Sequence, residues 1–96
     1  MPKPRALCVA WFRREDYQRL REISDDDMIA SFDEWEAKMN KFLTDAQSMG
    51  VILEKVIVNP DELLAFAKTF HGGKIDTKIR GAFAARAIMK KYGTNH

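Results

Sequence analysis

The chain has 96 residues, with 16 Lys+Arg against 14 Asp+Glu for a formal charge of +2, and 46% of it is hydrophobic. That length and composition describe one folded domain and exclude a disordered, collagen-like or low-complexity chain. A single cysteine, Cys8, excludes an internal disulfide framework and a cysteine-rich zinc site, and no apolar run reaches the roughly 20 residues of a membrane span.

Residues 1–5 read as a flexible tail and not as a secretory signal, because no apolar region of that kind follows them. Residues 6–12 (Ala-Leu-Cys-Val-Ala-Trp-Phe) are a short, continuous apolar run whose length and aromatic end predict a buried strand. Tyr17, Leu20 and Ile23 recur at helical spacing and predict a short helix over 15–23. Ser24 and Asp27 then form a weak capping box, predicting one helical turn through Ala30 with Asp25, Asp26 and Asp27 complementing its dipole. Ser31 and Glu34 make a stronger capping box. It opens the best helix, 32–49, with Phe32, Trp35, Met39, Phe42, Leu43, Ala46 and Met49 on one stripe and Gly50 as its terminator.

Residues 51–58 (Val-Ile-Leu-Glu-Lys-Val-Ile-Val) predict the second strand. Asn59-Pro60-Asp61-Glu62 is a dense helix start, with an N-cap Asn, a Pro at the first helical position and acids in the first turn. Leu63, Leu64, Phe66, Ala67 and Phe70 give that helix one apolar face, and Gly72-Gly73 end it. Asp76 caps a last helix that runs to Tyr92 and stops at Gly93, leaving residues 94–96 as a second flexible tail.

The fold class expected is α+β: a single domain with about five helical segments around a short two-stranded sheet. The strands pair antiparallel if two helices simply reverse the chain between them, and parallel if the segment near Asp25 turns it again. A lone strand pair is marginal in water, so the sheet is expected to extend across a homodimer through an exposed strand edge.

Charge is distributed unevenly. Residues 1–22 carry six cations and three anions, residues 23–40 six anions and one cation, and residues 74–96 six cations and one anion. The basic ends and the acidic interior either neutralise each other within the chain or meet a partner.

No catalytic or metal constellation assembles. Cys8 lies within a predicted strand, where it acts as a small hydrophobe, and Ser24, Ser31 and Ser48 have cap or helix-surface positions. His71 ends a helix and His96 ends the chain, without zinc-ligand spacing. Gly72-Gly73-Lys74 lacks the rest of a phosphate loop and follows a helix where a strand is required. An enzyme is therefore not expected, and neither is a cofactor or a metal.

Two places stand out as contact surfaces. In the last helix Gly81, Ala82, Ala85, Ile88, Met89 and Tyr92 form an apolar arc of the kind a core face needs, yet Ile79, Phe83 and Ala87 lie opposite it among Arg80, Arg86, Lys90 and Lys91. The other place is Trp11 to Tyr17, where a strand leaves the sheet and Arg13 and Arg14 stand between aromatic residues. The interaction residues expected are Trp11, Arg13, Arg14, Tyr17, Ile79, Arg80, Phe83, Arg86 and Lys90. The function expected is a cytoplasmic protein–protein interaction or structural module acting as a homodimer or with another protein, away from membranes. The alternative is a nucleic-acid-binding accessory protein using the basic last helix and the Arg13–Arg14 corner on phosphates. A helix-turn-helix reading of the last two helices is weakened by the loose Gly-Gly-Lys-Ile turn and by Asp76 at the start of the second.

Overall fold

The computed structural model describes residues 5–91. Their order is β1 (Arg5–Trp11), α1 (Arg14–Ile23), α2 (Phe32–Ser48), β2 (Val51–Ile57), α3 (Pro60–Phe70) and α4 (Thr77–Lys91). The first-tail residues 1–4, the Gly93 stop, the last tail and His96 lie outside the described residues. Arg5, assigned from sequence to the tail, begins β1.

The two strands are parallel, with Leu7 opposite Leu53 and Trp11 opposite Ile57. The direction left open by the sequence is decided by residues 24–31, which contain no helical turn and let α2 return the chain to the starting end of the sheet. The described residues therefore hold four helices and not five. The Asp residues predicted to start a helical turn hold the last helix instead. The Asp25 carboxylate accepts the Ile75 N–H at 2.8 Å, and the Asp25 N–H donates to the Ile75 carbonyl at 2.7 Å.

Elsewhere the local signals act as read. The Ser31 hydroxyl accepts from the Glu34 N–H, the Asn59 amide oxygen from the Glu62 N–H, and the Asp76 carboxylate from the Ile79 N–H. Each satisfies a donor that a helix start leaves without an internal partner. Gly72 and Gly73, at φ +63° and +87°, let the chain double back between α3 and α4.

Strand alternation distributes the helices over both faces of the sheet. Trp11 meets Trp35 of α2 edge-on at 4.9 Å, which assigns the odd-numbered strand residues to the α2 side. Glu54 pairs with Lys91 of α4 at 3.0 Å, which assigns the even-numbered ones to the α4 side. The core runs through both layers, with Leu20, Val58, Leu63, Ala67 and Ile75 fully enclosed. At the carboxyl end of β1 the rings of Trp11, Phe12, Tyr17, Phe32 and Trp35 pack together at centroid distances of 4.8–6.0 Å. Two strands about 5 Å apart give α2 a narrow floor. Of its apolar stripe only Trp35 is buried, and Phe42 and Met49 remain exposed.

Candidate functional site

The aromatic corner is interior. Trp11 and Tyr17 are 7% and 3% exposed, and the Tyr17 hydroxyl donates to the Ile29 carbonyl. Burial pushes the Tyr17 phenol above its ordinary pKa. The expectation that these two rings present a contact surface is corrected: the ring cluster formed with α2 consumes them. Arg13 and Arg14 are at the surface, as a solvated guanidinium should be, but both are engaged. Arg13 bonds Asp16 at 2.8 Å. Arg14 bonds Asp33 at 2.6 Å and lies 4.7 Å over the Phe32 ring. Hydrogen bonding to these carboxylates raises both guanidinium pKa values.

On α4 the structure reverses the expected faces. Ile79 and Arg80 are buried at 8% and 6% exposure, whereas Gly81, Ala85 and Met89 face solvent. Ile79 belongs to the core. Arg80 is held by four bonds: to both oxygens of Asp26 at 2.9 and 2.7 Å, to the Ser24 hydroxyl at 2.9 Å and to the Thr77 hydroxyl at 3.2 Å. Hydrogen bonding from Arg80 draws Asp26 down to about 2. Neither Ile79 nor Arg80 is therefore a surface contact residue; a buried cation is tolerable because its charge and donors are matched. This pair also answers part of the charge question: the acidic segment neutralises the basic helix within one chain.

Of the residues selected from sequence, Phe83, Arg86 and Lys90 are brought together. They line a groove of about 410 Å³ between α3 and α4. Phe83 is half-buried with its ring edge-on to Phe66 at 5.6 Å, and Arg86 lies 4.7 Å over the exposed Phe70 ring.

A second hollow, about 460 Å³, runs along β1 at a place that the sequence does not mark as a site. Cys8, Val9 and Ala10 line it from β1, with α2 on one side, Arg80 and Gly81 of α4 on the other, and the 26–29 segment also contributing to its lining. No strand among the described residues pairs with this edge of β1. The Trp11 carbonyl accepts from the Val58 N–H at 2.9 Å, so Trp11 directs its backbone toward β2. In a parallel ladder that orientation alternates, so Cys8 and Ala10 direct their N–H and C=O groups into the hollow. On the α4 wall Thr77 and Gly81, one helical turn apart, are small and exposed. A Cβ on Gly81 would meet nothing within 4 Å. The only sequence signal for this place was a strand pair with too few neighbours.

Among the described residues, no three His, Cys, Asp or Glu side chains converge to hold a metal, and no helix is long and apolar enough to cross a membrane. No protein-family model matches the chain, and no curated protein or solved structure matches it either.

Proposed function

We propose that this protein is a protein–protein interaction module that acts as a homodimer, two copies joining their sheets at β1 into four strands in the order β2-β1-β1-β2. The observation that carries the reading is the outer edge of β1: main-chain donors and acceptors at Cys8 and Ala10 lining an apolar hollow, with no strand against them among the described residues. Backbone polar groups in such a place call for partners, and a second β1 supplies them in the geometry required. A two-fold axis through Val9 pairs Cys8 of one copy with Ala10 of the other, so that each pair exchanges both hydrogen bonds. The small, open α4 flank around Gly81 leaves room for the second copy's α4 on the same side of the joined sheet. Leu7, 53% exposed on the same strand, adds apolar area.

Nucleic-acid binding has less support. Of the cations assigned to it, Arg13, Arg14, Arg80 and Lys91 are in ion pairs, which reduces the charge available to phosphates.

Sedimentation equilibrium at micromolar concentration should give twice the 11.1 kDa chain mass. Register is tested by crosslinking. Val9→Cys in a Cys8→Ala background places two thiols across the axis, where Cα atoms of a non-hydrogen-bonded pair stand about 4.5 Å apart, within disulfide range. Mild oxidation should then yield a covalent dimer. A monomeric mass, or an oxidised variant that stays uncrosslinked, overturns the proposal.

A further inference from the structure

The α3–α4 groove lies on a different surface from the β1 edge, and its chemistry points elsewhere. Phe66 and Phe83 form its floor. On its outer side a shallower recess shares Phe66, Phe70 and Arg86 and adds Met89. Phe70 and Met89 are 54% and 59% exposed, an apolar rim on a helix pair that has already filled its own core. Single exposed hydrophobic residues are ordinary, but here they are contiguous with a groove.

Several of the chain's cations are matched by carboxylates. Arg13, Arg14, Arg19, Arg80 and Lys91 all have carboxylate partners. Arg86 and Lys90 line the groove, and neither forms an ion pair among the described residues. Arg86 instead lies 4.7 Å over the Phe70 ring, which brings its guanidinium beside the apolar rim with no carboxylate against it among the described residues. Glu62 also lines the groove, leaving it one net positive charge.

We infer that the α3–α4 groove is a docking site for an acidic amphipathic helix of another protein, its apolar side chains seated over Phe66 and Phe83 and its carboxylates against Arg86 and Lys90. Phe66 against Phe83 and Phe70 beneath Arg86 leave an open apolar groove between the two helices, the shape in which the apolar face of a helix lies. A second copy of this chain fits poorly, because a two-fold axis through the groove brings Arg86 and Lys90 toward their own counterparts. Nucleic acid fits poorly as well, since a strand needs a longer track of cations than two side chains supply.

The probe is a fluorescein-labelled synthetic helix with leucines at i, i+3, i+4 and i+7 and glutamates between them, read by fluorescence anisotropy. Its counterpart carries lysines in place of the glutamates, and labelled oligo(dT) is the third ligand. The acidic helix should bind saturably, with the lysine helix and oligo(dT) about tenfold weaker or worse. Arg86→Glu with Lys90→Glu should cost the acidic helix about tenfold, and Met89→Asp should weaken both helical peptides, while circular dichroism confirms that these surface variants stay folded. The Gly81→Glu variant, altered only at the flank assigned to the dimer, should bind the acidic helix like the parent, so failure of the dimer leaves this result standing. Equal affinity for the two peptides overturns the inference. So does tighter binding of oligo(dT), affinity indifferent to Arg86 and Met89, or the absence of saturable binding.

Discussion

The Asp26–Arg80 pair permits a prediction with both a size and a pH signature. Asp26 is drawn down to about 2 from the ordinary carboxyl value of 3.8, chiefly by hydrogen bonding from Arg80. A carboxyl whose folded value lies below its unfolded one stabilises the protein above the unfolded value and loses that contribution as pH falls through the folded one. The difference between those values corresponds to about 2 kcal/mol in favour of the ionised side chain. Asn is a close mimic of the protonated acid, so Asp26→Asn should cost about 2 kcal/mol at neutral pH. The gap between parent and variant should close on acidification, shrinking below about pH 4 and nearly vanishing by about pH 2. Urea denaturation followed by tryptophan fluorescence suits the measurement, because Trp11 and Trp35 are both buried at 7% exposure. A gap below about 0.5 kcal/mol at pH 7, or one of equal size at pH 7 and pH 2, would refute the assignment of the stabilising charge to this pair.

The same denaturation assay reads three further predictions. Trp35→Ala should cost about 3–5 kcal/mol, because Trp35 touches four other rings at the sheet end; a loss below about 1 kcal/mol would mean that the cluster is loosely packed. Asn59→Ala should cost about 1 kcal/mol through loss of the α3 cap, and Asn59→Asp should retain most of it. Gly→Ala should act with opposite signs at two sites. Gly81→Ala should stabilise by about 0.5–1 kcal/mol, whereas Gly73→Ala, at φ +87°, should destabilise by about 1 kcal/mol; equal signs would contradict the backbone described.

Much of the fold is legible in short stretches of sequence because its determinants are local. The caps at Ser31, Asn59 and Asp76, the β-branched run after Gly50 and the double glycine at 72–73 act through neighbours within a few residues. The failures come where a distant partner decides. Arg80 reads as a solvated cation until Asp26, 54 residues away in sequence, is brought against it. Asp25 reads as a helix-start acid until the Ile75 N–H takes its carboxylate. On α4 both arcs are apolar enough for a core, and periodicity alone does not choose between them; Ile79 and Arg80 are drawn inward by β1 and the 24–26 loop, leaving Gly81 and Ala85 outside. Of the candidate site residues, Phe83, Arg86 and Lys90 share a groove. Trp11 and Tyr17 are interior, although an aromatic residue at a strand end looks the same in sequence whether it faces ligand or core.

The double glycine between α3 and α4 divides the chain into a body and a returning helix. Gly72 and Gly73 have open space around them, and nothing within 4 Å would oppose a Cβ at either. Beyond them, Ile75, Ile79 and Arg80 all return to surfaces made by the body. Cutting the peptide at that turn would separate two fragments with a shared surface already shaped on each. Their tethering now supplies an effective concentration that a cut chain would have to replace with real concentration. The affinity of a free 74–91 peptide for the remainder would thus express, as a dissociation constant, what the last helix contributes to the whole.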